Sequence, residues 1–169
     1  PEAYEVYHEE QTVELFSKLG VLAKNEIEAR FEILNETYVK KLQIEARIIG
    51  DICLNHVIPA AVRYQNVLIE NVKGMKDIFG DDYLNYCASE IETLKKISTY
   101  INNVSADVEG LVEARKKANK IDAVAERAKV YSYEVKDMME KVRMSADNLE
   151  MLIDDEVWPL PKYRELLFF

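Results

Sequence analysis

The chain has 169 residues, and its 31 acidic against 22 basic side chains give a net charge of −9. This length suffices for one domain with a core of its own. The negative charge disfavours nucleic acids and anionic membranes as partners, because both are bound through an excess of Lys and Arg. Only 5 Gly and 4 Pro are present, which predicts few and long secondary-structure elements.

The cysteine content and the hydropathy of the sequence further limit the class of protein to which the chain can belong. Cys53 and Cys87 are too few for a disulfide framework, so we expect buried, reduced thiols in a cytoplasmic protein. Polar residues interrupt the apolar run 48–62, which is therefore not predicted to span a membrane. Because the sequence begins at Pro1 rather than at Met, we expect a fragment of a longer polypeptide.

The first half of the chain predicts two helices. The first covers 2–19 and ends at Gly20, a residue suited to the left-handed conformation that stops a helix. A capping box, Asn25 with Glu28 three residues later, predicts the start of the second. Its apolar stripe continues to about residue 72, with a kink at Pro59. Such a helix would span about 70 Å at ~1.5 Å per residue, so we expect part of it to protrude or to pack on another domain.

The second half predicts two more long helices. A short segment at 75–79 precedes Gly80, and Asp81 or Asp82 is expected to cap the third helix. After a break at 119–122, the last helix carries a near-heptad apolar seam, a spacing typical of helical bundles. The seam comprises Val124, Ala128, Tyr131, Val135, Met138, Val142, Ala146, Leu149 and Leu152. The sequence thus predicts an all-α domain over 1–169, a bundle of about four long antiparallel helices.

The end of the chain, residues 157–169, is predicted to be a docking tail. Pro159 and Pro161 stiffen it, and it closes with four large apolar residues instead of the polar residues typical of a frayed terminus. Leaving such side chains in water is costly, so we expect them to bury against the helices or a neighbouring domain. The residues expected at this interface are Trp158, Leu160, Tyr163, Leu166 and Leu167.

Six polar residues surround Pro59 on an otherwise apolar helix. They are Glu45, Arg47, Asp51, Asn55, His56 and Arg63. One interpretation is a functional polar site. The other, which we favour, is an internal network that serves the backbone carbonyl freed by the proline and anchors a packing surface, since buried charges need partners.

Candidate metal ligands and catalytic motifs are sparse. Glu5 and His8 have the spacing of half a di-iron ligand set, but such a site needs a second pair and two more carboxylates, and the other histidine, His56, has Cys53 three residues before it. We read the methionines of the last helix as core filling and the acidic turn 154–156 as solvated, with a partner's Arg or Lys as the alternative. Nucleophile motifs, phosphate-binding Gly loops and zinc spacings are missing from the sequence. We therefore assign no catalytic, cofactor-binding or metal-binding residue.

Several strings, in order along the chain, resemble the C-terminal region of type III glutamine synthetases, the long-subunit bacterial class. They are 30–33 (RFEI), 44–47 (IEAR), 55–60 (NHVIPA), 63–66 (RYQN), 113–119 (EARKKAN) and 158–168 (WPLPKYRELLF). The resemblance implies a helical domain appended to the catalytic domain of an ATP-dependent glutamate–ammonia ligase. It also implies that ATP and Mg²⁺ or Mn²⁺ bind upstream of this segment, so no catalytic residue of the family is carried over to it.

The expected function is therefore structural: a packing or assembly domain that is inactive alone. The resemblance implies, as partners, the catalytic domain of the same chain and other subunits of a ring-shaped homo-oligomer. The alternative is a free-standing helical adaptor that binds a partner helix through an exposed seam. A metal–carboxylate bundle enzyme is the third hypothesis.

Overall fold

The computed structural model describes residues 1–162 and 165–167, and every regular element within them is helical. The all-α prediction is confirmed. The α-helices are α1 (Glu10–Lys18), α2 (Lys24–Ile52), α3 (Ile58–Phe79), α4 (Leu84–Ala118), α5 (Val124–Val130) and α6 (Lys136–Glu150). Short 3₁₀ segments lie at Glu2–His8, Gly80–Tyr83 and Glu165–Leu167, and π-helical turns at Cys53–Val57 and Tyr131–Val135.

The predicted first helix, 2–19, is wrong as a single element. Glu9 is extended, with φ −66° and ψ 131°, and separates the 3₁₀ segment Glu2–His8 from α1. No Gly or Pro marks this break in the sequence. The end of the helix is as predicted: Gly20 has φ +66°, a conformation that residues with a Cβ seldom adopt.

The start of α2 lies one residue before the predicted cap. The Glu26 carboxylate accepts a 2.7 Å hydrogen bond from the Ala23 backbone N–H, and the Ala23 carbonyl accepts from the N–H groups of Glu26 and Ile27. This is the reciprocal half of a capping box, centred two residues earlier than expected. Asn25 is therefore inside the helix rather than at its cap, because Glu26 already satisfies the free N–H at Ala23.

Helix α2 leads into α3 through the π turn Cys53–Val57. Ile52 and Ile58, which flank that turn, both keep right-handed helical dihedrals. The proline-bearing stretch is thus helical on both sides, and the wider turn lies just before the residue that lacks an N–H. A kink at Pro59 stays a prediction. The separate segment expected at 75–79 is instead the end of α3, and Asp81 and Asp82 lie inside the following 3₁₀ segment.

The chain divides into two compact units where the sequence predicted one domain. Unit 1 comprises Pro1–Ile48 and Gly110–Met139, and unit 2 comprises Ile49–Glu109 and Glu140–Phe169. Each has its own buried side chains. Those of unit 1 include Ile27, Asn35, Val39, Leu42, Ala46, Leu111, Ala118, Ala128, Tyr131 and Val135. Those of unit 2 include Cys53, Val57, Ala60, Ala61, Cys87, Ile97, Val104, Val108, Val142, Leu149, Ile153 and Trp158.

The break between α4 and α5 lies where the sequence predicts it, and hydrogen bonds to a polar residue stabilise it. Asn119 follows α4, and its Oδ1 accepts 2.7 Å hydrogen bonds from Gln43 of α2 and from the hydroxyl of Tyr131. Tyr131 is fully buried, so its hydroxyl needs such a partner. The seam of the last helix is likewise buried or half-buried throughout, which confirms the periodicity from 124 to 152.

Within the described ranges, no helix combines the length and the apolar character that crossing a membrane requires.

Candidate interaction surfaces

The tail is anchored in unit 2 by its tryptophan. Trp158 retains 8% of its exposure, and the turn before it is closed by hydrogen bonds from the N–H groups of Val157 and Trp158 to the Asp154 carbonyl, 3.1 and 2.9 Å long. The indole Nε1 is buried without a hydrogen-bond partner among the described residues. Trp158 is therefore held by apolar burial and not by its polar atom.

The acidic turn 154–156 fastens the tail. The Lys162 ammonium donates a 2.8 Å hydrogen bond to the Ile153 carbonyl and lies 2.6 Å from a carboxylate oxygen of Asp155. Asp154 Oδ1 accepts a 2.7 Å hydrogen bond from the Glu156 N–H. The Lys162 side chain is only 14% exposed. The residues of the turn are exposed, as predicted, but the Asp154 and Asp155 carboxylates also stabilise the turn and the tail.

The other described residues that are predicted to form the tail interface are more exposed than Trp158. Leu160 is half-buried, whereas Leu166 and Leu167 are 52% and 62% exposed. Tyr163 lies outside the described residues, as do Phe168 and Phe169. The tail therefore docks on its own chain through its first half, and its second half still presents leucines to solvent.

The six polar residues around Pro59 all lie at the surface. Asn55 donates a 2.6 Å hydrogen bond to Asp51, one turn earlier on the helix. Among the described residues this is the one hydrogen bond that links members of the group. The structure thus brings two of the six together and leaves Glu45, Arg47, His56 and Arg63 facing water.

Glu5 and His8 are engaged in contacts that tie the N-terminal segment to the rest of unit 1. Glu5 lies 2.5 Å from the Lys129 ammonium, and the hydrogen bond from that ammonium lowers the pKa of the carboxyl. The His8 ring lies edge-on to Phe31, with centroids 4.1 Å apart. The Tyr133 hydroxyl donates to Glu2. The described residues contain no group of three or more His, Cys, Asp or Glu side chains placed to hold a metal ion.

Both cysteines are buried and unpaired. Burial raises the pKa of the Cys53 thiol to about 11, because the thiolate would lose its hydration. A protonated thiol inside the fold is a poor nucleophile. Cys53 is therefore a packing residue.

One surface was missed by the sequence reasoning. Ile33, Ile44 and Ile48 of α2 are 61%, 58% and 52% exposed. Ile44 and Ile48 follow Ile33 by 11 and 15 residues, which places the three on one side of a helix with 3.6 residues per turn. We call these three residues the outer stripe. In the sequence, this surface is visible as a second apolar repeat on α2. It lies about half a turn around the helix from the buried repeat that contains Leu42 and Ala46.

The sequence of the chain is similar to those of known proteins of one family. Residues 1–76 match the family model of the glutamine synthetase C-terminal domain. The chain is 41% identical to a glutamine synthetase of Bacteroides fragilis and 30% identical to a type-3 glutamine synthetase of Dictyostelium discoideum. It is 28% identical to a glutamine synthetase of Butyrivibrio fibrisolvens. Each similarity covers 99% of this chain but only 23–24% of the relative. The chain thus spans about a quarter of the length of the curated relatives it matches.

Proposed function

We propose that this chain, which belongs to the glutamine synthetase family and carries its C-terminal domain, supplies packing and assembly surface to a larger enzyme. The enzyme would be an ATP-dependent glutamate–ammonia ligase. One observation carries the proposal: the similarity to named glutamine synthetases extends over 99% of the chain.

The chemistry of the described residues supports a non-catalytic role. Several of their acidic side chains are used in surface ion pairs, in the cap of α2 and in the turn that holds the tail. The thiols are buried. A ligase that uses ATP needs carboxylates clustered around divalent cations, and we place ATP with Mg²⁺ or Mn²⁺ in the catalytic domain upstream of this segment.

The proposed partners follow from the same role. They are the catalytic domain of the same polypeptide and, through it, other subunits of a ring-shaped homo-oligomer. The exposed Leu166 and Leu167 supply apolar surface for such a contact. The net charge of −9 argues against nucleic acid and anionic membrane. Two free cysteines fit a cytoplasmic location.

A pair of truncations in the parent enzyme tests the proposal. Ending the chain after Asp155 removes Trp158 and Lys162 with the whole docking tail. Ending it after Lys162 keeps both anchors and removes residues 163–169, which include the four terminal apolar side chains. We expect the first truncation to lower the melting temperature or the mass of the oligomer in native mass spectrometry.

The second truncation separates the two halves of the tail. If it reduces the oligomer mass with little change in melting temperature, the terminal residues contact another subunit. Unchanged mass, melting temperature and turnover in both truncations would contradict an assembly role. The free-standing adaptor would then become the better hypothesis.

A further inference from the structure

We propose that a recess in unit 1 binds the guanidinium or ammonium group of an organic cation. The recess has a volume of about 340 Å³ and lies between the first half of α2 and the start of α5. The docking tail belongs to unit 2, so this site is an addition to the assembly surface proposed above and does not depend on it.

One wall of the recess is a single face of α2. Its four lining residues have the spacing i, i+3, i+4 and i+7, which places them within about 100° around the helix axis. They are Glu28, Phe31, Glu32 and Asn35. In the described part of the chain, the two exposed carboxylates form no ion pair and accept no hydrogen bond. Like charges four residues apart on a helix repel each other, and a cation between them would relieve that repulsion.

Asn35 adds a buried acceptor to this wall. Its side chain is 1% exposed, and its Nδ2 donates a 3.0 Å hydrogen bond to the Phe31 carbonyl. Its Oδ1 accepts no hydrogen bond from a described residue. Two described side-chain atoms are fully covered and lack a partner, Nε of Arg127 and Nε1 of Trp158. Since Asn35 Oδ1 is not one of them, it reaches the open space of the recess. An acceptor at such a buried position needs a donor, and the N–H groups of a cation supply one.

The remaining lining is apolar or aromatic. Residues 123–125 form the opposite wall, and the His8 ring lies edge-on to the half-buried Phe31. An aromatic ring beside carboxylates suits a guanidinium or ammonium group, because the ring face attracts a cation and the apolar wall covers its stem.

The charge around the recess favours a cation over an anion. Its lining has two carboxylates and no Lys or Arg. The amino end of α5 adds a positive charge of about half a unit, less than the two full negative charges. Lys24 and Arg127 each lie one turn from a lining residue, but neither lines the recess. Among the described residues neither of them forms an ion pair with its carboxylates, and Lys129 is paired with Glu5.

The volume of the recess fits a small organic cation or the end of one basic side chain. The cation can therefore come from two sources that share one chemistry. One is a free amine or guanidine. The other is a Lys or Arg side chain of the parent polypeptide.

Binding of agmatine, which carries a guanidinium and an amine, tests the proposal. A ¹⁵N NMR titration of the 169-residue chain is made at low salt and at a pH of about 7.5, where an imidazole is mainly neutral. We expect saturable binding, with the largest shifts at the side-chain amide of Asn35 and at the backbone amides of 28–35 and 123–125.

Two double variants separate the site from the overall charge. Glu28→Gln with Glu32→Gln should weaken agmatine binding at least about ten-fold, because it removes both charged acceptors. Glu45→Gln with Glu70→Gln is the matched control. It removes the same charge at exposed positions outside the recess, and the affinity should stay within about two-fold of the unsubstituted chain.

Calorimetric titration of the parent enzyme separates the two sources. Binding that persists in the parent, and that the Glu28 and Glu32 substitutions abolish, assigns the recess to a free cation. Binding to the chain that is lost in the parent assigns it to a basic side chain of the parent polypeptide.

Two results would overturn the proposal. One is the absence of saturable binding to the chain. The other is equal weakening in the two double variants, which would reduce the effect to general attraction by a net charge of −9. Either result leaves the proposed function standing, because an assembly domain needs no cation in this recess.

Discussion

The two ends of the chain are held by different forces. Neither the segment Glu2–His8 nor α1 has a buried residue, and the N-terminal segment is tied down by the exposed pair Glu5–Lys129 and by Tyr133 with Glu2. The C-terminal segment instead buries Ile153 and Trp158 and covers the Lys162 ammonium. Exposed ion pairs contribute little to stability, whereas burying a large apolar side chain contributes roughly 1.5–3 kcal/mol. Buried area, more than the number of ion pairs, therefore determines how firmly each end is attached.

The largest expected effect is on the C-terminal anchor. Replacing Trp158 with Ala should lower the free energy of unfolding of the 169-residue chain by about 3 kcal/mol, because a buried aromatic side chain is replaced by a cavity. Urea unfolding, followed by circular dichroism, measures this loss of stability.

Trp158→Phe is the matched control. It keeps an aromatic ring, although a smaller one, and removes the unpartnered indole N–H, so we expect a loss of about 1 kcal/mol. Equal stability of Trp158→Ala and the unsubstituted chain would refute the anchor.

An intermediate effect is expected at Lys162. Lys162→Ala removes a charged donor from the Ile153 carbonyl and from Asp155, which should cost about 1–2 kcal/mol in the same urea experiment. Lys129→Ala, at the ion pair of the other end, is the comparison variant and should have a clearly smaller effect, since that pair is half exposed. If the two lysine variants lose equal stability, the contrast between the ends fails.

The smallest effect is expected at the N-terminal pair, and it depends on pH. Glu5→Gln should change the melting temperature by about 1 °C or less at neutral pH. Because Lys129 lowers the pKa of Glu5 below its ordinary value of 4.5, any advantage of the unsubstituted chain is complete above that value. It is lost as the pH falls through the lowered pKa.

Melting temperatures of both proteins across the acidic range check this sign. A difference that grows as the pH falls would contradict the assignment of the ion pair. Added salt should also shrink the difference, because an exposed pair is screened.

The sequence predicted those features that depend on periodicity and turn chemistry. The apolar seam around Tyr131, the stop at Gly20 and the break after Asn119 all follow from local spacing or from a single residue type. The all-α class and the resemblance to glutamine synthetases are also confirmed. The sequence could predict both because long apolar repeats and distinctive strings are properties of the sequence itself.

The features that were missed depend on competition or on contacts distant in sequence. The extended Glu9 has no Gly or Pro signal. The cap of α2 was misplaced because Asn25 has the better intrinsic preference, yet Glu26 satisfies Ala23 first. The contact of Lys162 with Ile153 joins residues nine apart in an irregular segment, which no periodicity encodes. The outer stripe was overlooked because one helix can carry two apolar repeats, and spacing alone does not say which of them is buried.

If this chain is a structural domain of a larger synthetase, the native polypeptide is several times longer than the chain, and its size is the first quantity to measure. An antibody raised against the 169-residue chain, used on a blot of lysate from the source cells, gives that size. Since the chain covers 23% of its relatives, we expect a band of roughly four times 19.6 kDa. A single band at 19.6 kDa would contradict it and make the free-standing helical adaptor the better description.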